Sequence, residues 1–165
     1  MIITDERAGD EARIAEITRE AFALTPHGSG AEAQIVAALR QAGALTLSLV
    51  AIEGIQLVGH IAFSAVEIPD MPSGLYGLGP VSVRPGSQRQ GIGDALVRAG
   101  LERLRDMGAA GCVVLGDPEY YRRFGFCAAP GLTYGDVPPG YMQGLSFCGA
   151  VISGKVRYHA AFDAG

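Results

Sequence analysis

Apolar positions along this chain follow a helical period first and then crowd into strand-like runs. Within residues 11–22, Ile14, Ile17, Ala21 and Phe22 fall on one helical face. A second such face, Ile35, Val36 and Leu39, lies in residues 31–42 and stops at Gly43. Residues 1–4 read as a short strand, and Asp10 is placed to cap the first helix. Residues 45–52 and 57–68 are then rich in Leu, Val, Ile and Phe around Glu53-Gly54-Ile55-Gln56, a hairpin signal. A third strand is expected over 75–83. The Gly79-Pro80 pair inside it calls for a bulge or bend, because Pro removes a ladder donor. The longest helix, 92–107, sets Ile92, Ala95, Leu96, Ala99, Leu101 and Leu104 on its apolar face and stops at Gly108. A buried strand at 111–115, a short helix at 118–124 opened by Pro118, and strands at 141–147 and 155–161 complete the pattern. Strand, two helices, three strands, helix, strand, helix and strands predict a mixed sheet covered by helices.

Composition narrows the class. The chain has 165 residues, 48% of them hydrophobic and 18% charged, which excludes a disordered polymer and points to one domain spanning residues 1–165. Mean hydropathy is +0.23, yet the longest nearly apolar run, 45–52, is far short of the roughly 20 residues of a membrane span. The opening Met-Ile-Ile-Thr-Asp-Glu-Arg lacks the basic start and apolar core of a signal peptide, so a soluble, cytoplasmic protein without a membrane partner is expected. A net charge of −4 argues against a dedicated nucleic-acid binder. Every basic residue except Lys155 is Arg, whose planar fork suits phosphate, so a local anion site stays open. Cys112, Cys127 and Cys148 have neither zinc nor redox spacing and read as buried small apolar residues in a reducing compartment; no metal is expected.

The chemistry concentrates in Val81-Ser82-Val83-Arg84-Pro85-Gly86-Ser87-Gln88-Arg89-Gln90-Gly91-Ile92-Gly93-Asp94. A strand ends, a polar loop follows, and a long helix starts at a glycine pair. Unpaired amides at a helix start form an anion site, and the helix dipole reinforces it. Gly91 and Gly93 let a phosphate approach the backbone, while Gln88 and Arg89 add side-chain donors. No Lys stands where a P-loop needs one. Leu96 occupies the third small position of the dinucleotide fingerprint, so neither of those motifs fits.

The spacing Gln88-x-x-Gly91-x-Gly93 after Val-Ser-Val-Arg-Pro resembles the acetyl-CoA pyrophosphate loop of the GNAT superfamily of N-acetyltransferases. About 30 residues on, Asp117-Pro118-Glu119-Tyr120-Tyr121-Arg122-Arg123-Phe124-Gly125-Phe126 resembles its other hallmark, a helix with Tyr followed by Gly-Phe. The resemblance implies an α+β, three-layer α/β/α fold: a mixed, mostly antiparallel twisted sheet with a splayed, bulged central strand and helices on both faces. It implies acetyl-CoA as co-substrate, no metal, and direct attack on the thioester by a primary amine of a small molecule or peptide. Backbone groups of Val81 and Val83, with Ser82 between them, would hold the pantetheine arm. Gln88 and the amides of Arg89, Gln90, Gly91, Ile92 and Gly93 would hold the pyrophosphate, with Asp94 as a first-turn or capping residue.

The same resemblance makes Tyr121 the general acid for the departing thiolate, and Tyr120 points about 100° away on a helix. Many relatives carry a Glu on the strand before the loop, but Leu75-Tyr76-Gly77-Leu78-Gly79-Pro80 has no carboxylate. Glu67 is the best substitute as general base, with His60, Asp117 and water as alternatives; Asp117 equally suits the N-cap of the helix opened by Pro118. The acceptor pocket is expected from the loops at 25–30, with His27, at 68–74 and at 130–141. A homodimer is compatible with the fold, and an acyl-CoA-binding module without transfer is the alternative function.

Overall fold

The computed structural model describes residues 1–25 and 30–164. In chain order the elements are β1 (Ile2–Asp5), α1 (Glu11–Ala23), α2 (Glu32–Gln41), β2 (Leu47–Glu53), β3 (Gln56–Ala65), β4 (Leu75–Val83), α3 (Ile92–Asp106), β5 (Gly111–Leu115), α4 (Pro118–Tyr121), β6 (Leu132–Thr133), β7 (Met142–Ser146) and β8 (Gly154–Lys155). Short 3-10 turns occupy Pro85–Ser87, Arg122–Phe124 and Ala160–Ala164. Backbone pairing joins six strands in the order β1-β2-β3-β4-β5-β7. The β1–β2, β2–β3 and β5–β7 ladders are antiparallel and β4–β5 is parallel. The fold is thus α+β with a mixed, mostly antiparallel sheet, as expected.

The chain divides into two compact units. The first comprises Met1–Ser64, Gly79–Gly100 and His159–Gly165. On one face of its strands, Ile14 and Ile17 of α1 and Val36 of α2 bury against Val50 and Ala62. On the other face α3 lies so close to β3 that a Cβ on Gly100 would strike the Phe63 ring. Residue alternation along β3 produces this division, since neighbouring side chains leave a strand on opposite faces. Buried Val97 joins Ile92, Leu96, Leu101 and Leu104 on α3, whereas Ala95 and Ala99 stay partly exposed. The second unit comprises Ala65–Leu78 and Leu101–Tyr158, with its own core of Val66, Ile68, Leu75, Val113, Met142 and Ile152.

β4 runs unbroken through Gly79-Pro80, whose peptide bond is cis, with Gly79 at φ +133°. What changes there is its pairing: the ladder to β5 runs from Leu75↔Gly111 to Leu78↔Val114 and ends. From residue 79 onward the backbone must satisfy its hydrogen bonds elsewhere.

Several local expectations need correction. β3 stops at Ala65, so Glu67 lies beyond it, in an isolated bridge with Arg157. The strand expected over 155–161 shrinks to Gly154–Lys155, which pairs with the unforeseen β6. Ala161 turns instead into a 3-10 segment because it packs with Ala31, Ile35 and Leu39, and the His159 ring nitrogen accepts from its N–H. The helix at 118 ends at Tyr121 and tightens to a 3-10 turn before Gly125, which closes it at φ +98°. Asp10 precedes α1 without capping it; its carboxylate accepts from the Arg7 N–H at 2.8 Å. Only Cys112 of the three cysteines is buried, while Cys127 and Cys148 are exposed. Among the described residues no helix is long and apolar enough to cross a membrane.

Replacing Gly100 by Ala should destabilise the protein by about 1–3 kcal/mol, because overpacking against Phe63 outweighs the better helix propensity. Urea unfolding will show it as a lower midpoint. Gly86→Ala, where an added Cβ meets nothing within 4 Å, should stay within about 0.5 kcal/mol of wild type.

Candidate active site

The loop that closes β4 has an anion-binding shape. Arg89 takes φ +64° and Gly91 φ +82°, both left-handed, immediately before α3. Among non-glycine residues that conformation is uncommon and concentrates at functional sites. Left-handed residues separated by one ordinary residue turn successive N–H groups toward a common concavity. The first helical bond runs from the Ala95 N–H to the Gly91 carbonyl at 3.0 Å, so the start of α3 presents its leading amides there. A Cβ on Gly91 would meet nothing within 4 Å, so it is the backbone angle that requires glycine there. Arg89, Gln90 and Gly91 are exposed, as an anion site needs.

Three contacts hold this loop in place. Gly59 of β3 has no room for a Cβ, which would stand 3.1 Å from both Ile92 Cγ2 and Leu96 Cδ1; its bareness seats the first turn of α3. Ile92 therefore spends its side chain in the core and has only its backbone for a ligand. The Gln88 side chain donates to the Val83 carbonyl at 3.1 Å, bracing the loop from within. Ser82 turns its buried hydroxyl to Thr18 of α1, 3.2 Å away. Thr18 donates its single hydroxyl hydrogen to the Ile14 carbonyl at 2.7 Å, so Ser82 is the donor to Thr18. Val81 and Val83, on either side, are half-buried, and Asp94 lies in the first turn of α3.

Tyr121 belongs to the second unit. Asp117 caps its helix, accepting from the Glu119 N–H at 2.9 Å, and Pro118 follows at the first helical position. The Tyr121 ring lies on Gly116, where an added Cβ would stand 2.5 Å from Cε2. The Gly116 carbonyl is pinned in turn by the buried Gln143 amide at 3.1 Å. Edge contacts to Tyr120 and Phe126, with centroids 4.9 and 6.0 Å away, complete the seat. Burial, and then the nearby Cys112 thiol, push the Tyr121 phenol up to about 12. At neutral pH it stays protonated and has a hydrogen to donate. Burial raises the Cys112 thiol further still, which removes it as a nucleophile.

The candidate bases separate clearly. Glu67 is exposed, its backbone exchanging hydrogen bonds with Arg157 at 3.0 and 2.8 Å. Asp117 is engaged as the cap just described. His60 is fully buried, and its Nε2 lies 2.8 Å from Ser48 Oγ, which also bonds Glu6. Arg40 meets Glu6 through two bonds of 2.9 Å. With Ser48 donating to the carboxylate, His60 is the Nε2–H donor to Ser48. Burial pulls His60 down to about 4, Glu6 only partly opposing it, so the ring is neutral at working pH. Burial raises Glu6, but hydrogen bonds from Arg40 and Ser48 outweigh it and hold the carboxyl below its ordinary value. His27 lies outside the described residues. Among the described residues no group of three or more His, Cys, Asp or Glu could hold a metal ion.

Thr18 and Gly59 hold the loop, and Gln143 and Gly116 seat Tyr121; the sequence assigns none of these roles. The glycines carry a weak signal, because glycine inside a strand marks close approach of another group.

His60 makes stability depend on pH with a definite sign. The unfolded ring binds a proton near 6.5 and the folded ring only near 4, so the full stability holds above pH 6.5 and is lost as pH falls toward 4. The difference corresponds to about 3 kcal/mol. Glu6, held below its ordinary value, acts in the same direction at lower pH. Urea midpoints measured from pH 7 to 4.5 should fall steeply for wild type and more shallowly for His60→Asn.

An acetyltransferase (GNAT) domain profile matches residues 4–129. The uncharacterized N-acetyltransferase YhbS of Escherichia coli K12 is 40% identical over 128 residues, covering 76% of this chain and 73% of its own. A GNAT family acetyltransferase from Brucella melitensis, crystallised with acetyl-CoA, is 51% identical, covers 98% of this chain and 97% of its own, and superposes with a TM-score of 0.87. The crystal structure of Escherichia coli YhbS with CoA gives the same TM-score at 34% identity, covering 98% of this chain and 91% of its own. With the anion loop, the seated tyrosine and the fold already in hand, these likenesses establish that the chain belongs to the GNAT family of N-acetyltransferases.

Proposed function

We propose that this enzyme transfers the acetyl group of acetyl-CoA to a primary amine of a small molecule or peptide. The observation that carries this reading is the pair of left-handed residues, Arg89 and Gly91, that opens α3. They fit a diphosphate: Arg89, Gln90 and Gly91 are exposed and stand at the positive end of a 15-residue helix. The acetyl-CoA bound in the Brucella melitensis relative and the CoA bound in Escherichia coli YhbS support the same ligand here. When bound, it supplies an acyl carbon with a thiol leaving group, so the amine nitrogen can bond to that carbon as the C–S bond breaks.

The chain's own residues do the rest. Amides of Arg89 to Gly93 bind the diphosphate, and backbone groups of Val81 to Val83 hold the pantetheine arm. Tyr121 supplies a hydrogen bond or its phenolic proton to the departing sulfur, and its raised pKa keeps that hydrogen in place at neutral pH. Glu67 takes the proton of the attacking ammonium, directly or through water. Preorganised contacts, not a covalent enzyme intermediate, supply the catalysis. The free thiols of Cys112, Cys127 and Cys148 support a reducing, cytoplasmic setting.

Calorimetric titration should show acetyl-CoA and CoA binding with ADP much weaker, and saturating acetyl-CoA, at 100 times its dissociation constant, should stabilise the fold by about 2.7 kcal/mol. A panel of amines followed by thiol release should then identify turnover. Tyr121→Phe should keep acetyl-CoA affinity within about twofold and lose about 100-fold in turnover. Unchanged turnover would remove Tyr121 from the chemistry, and tight binding with no turnover on any amine would favour an acyl-CoA-binding module.

A further inference from the structure

We propose that Arg84 is a positioning residue for coenzyme A: its guanidinium ties the anion loop to the hairpin before β3, and its charge adds to the field of that loop. The proposal rests on the acetyl-CoA reading above and adds to it a residue to which the family resemblance gives no role. Arg84 stands between the last residue of β4 and the 3-10 turn Pro85–Ser87. Its N–H donates to the Val58 carbonyl at 2.8 Å, so its backbone continues the contact with β3 after β4 has ended.

The side chain then reaches in two directions. Nη1 donates to Gln56 Oε1 at 2.7 Å, at the first residue of β3. Nη2 and Nε both reach Ser87 Oγ, at 3.0 and 3.3 Å. Ser87 is 3% exposed, and its own N–H donates to the Arg84 carbonyl at 2.8 Å. Residue 87 is thereby held from its backbone and its side chain, directly before Gln88 and the left-handed Arg89. Gln88 closes the same turn by donating to the Val83 carbonyl.

These anchors all lie within the first unit, and they fix the residues that lead into the concavity. A loop already ordered in its binding shape spares the ligand the entropy of ordering it. Among the described residues, the partners of the guanidinium are neutral oxygens, the Gln56 amide and the Ser87 hydroxyl. Its positive charge is therefore not cancelled by a carboxylate in contact with it. A half-buried cation in that state acts over several ångströms on a diphosphate, less so as salt rises.

Brace and charge can be separated. Acetyl-CoA is titrated calorimetrically into wild type, Arg84→Gln, Arg84→Lys, Ser87→Ala and Gln56→Ala at several salt concentrations, with circular dichroism verifying each fold. We expect Arg84→Gln to weaken binding about tenfold and to flatten the dependence of affinity on salt. Arg84→Lys, which keeps the charge and loses the fork, should recover part of the affinity and the wild-type salt dependence. Ser87→Ala and Gln56→Ala should each cost about threefold with the salt dependence unchanged. Wild-type affinity in folded Arg84→Gln overturns the proposal. Should that variant not fold, wild-type affinity in the exposed-site variant Gln56→Ala overturns the brace, and a salt dependence in Arg84→Lys as flat as that of uncharged ligands overturns the charge. Failure of folded wild type to bind acetyl-CoA overturns the functional reading itself, and this inference with it.

Discussion

The structure depends on β4 giving up one of its neighbours halfway along its length. Through Leu78 it shares a parallel ladder with β5; from Gly79-Pro80 onward that ladder is gone. Backbone donors and acceptors are obligatory hydrogen-bonding groups, so a strand leaving its partner exposes groups that something else must satisfy. The segment that leaves the ladder is the one that runs into the anion loop and the long helix α3. Strand, loop and helix are therefore one continuous device, and the position where pairing stops decides where the backbone leading into the loop is released from β5.

That device works only because other elements come unusually close to it. Bare glycines make this possible: Gly59 and Gly100 let α3 settle on β3 and Phe63. Within the second unit, Gly116 likewise gives Tyr121 a flat seat. A methyl group at any of these sites meets a neighbour at or inside normal contact distance, and well-packed interiors do not absorb such additions without rearrangement. Gly91 of the loop serves a different end. There an added Cβ has room, and the backbone angle alone excludes other residues.

Buried polar groups in the first unit are arranged as short directed chains. Ser82 donates to Thr18 and Thr18 to the Ile14 carbonyl, tying the C-terminal end of β4 to α1. His60, Ser48, Glu6 and Arg40 link β3, β2, the end of β1 and α2 in the same way. Each member has a partner because an unsatisfied polar group in a low-dielectric interior costs more than the bond returns. The exceptions among the described residues are His60 Nδ1 and Ser64 Oγ, which are buried without a hydrogen-bond partner. A neutral, fully buried imidazole is a structural element, and its reluctance to take a proton ties the stability of the fold to pH.

Local chemistry along the sequence determined the element order as far as α4, the Gly79-Pro80 pair at which pairing with β5 ends, the loop with its two glycines, and the Asp117-Pro118 start of the short helix before Gly-Phe. All of these are set by neighbours a few residues apart: periodicity, missing donors, left-handed angles and helix caps. Only the tertiary structure decided that Glu67 falls beyond β3, that residues 155–161 mostly coil instead of pairing, and that Cys127 and Cys148 face solvent. It also decided that Arg84 reaches back 28 residues to Gln56 and that Gln143 pins the glycine beneath Tyr121. Such contacts join residues far apart in the chain, and no local pattern records them, because what selects each side chain is the shape and polarity of a neighbour that only folding supplies.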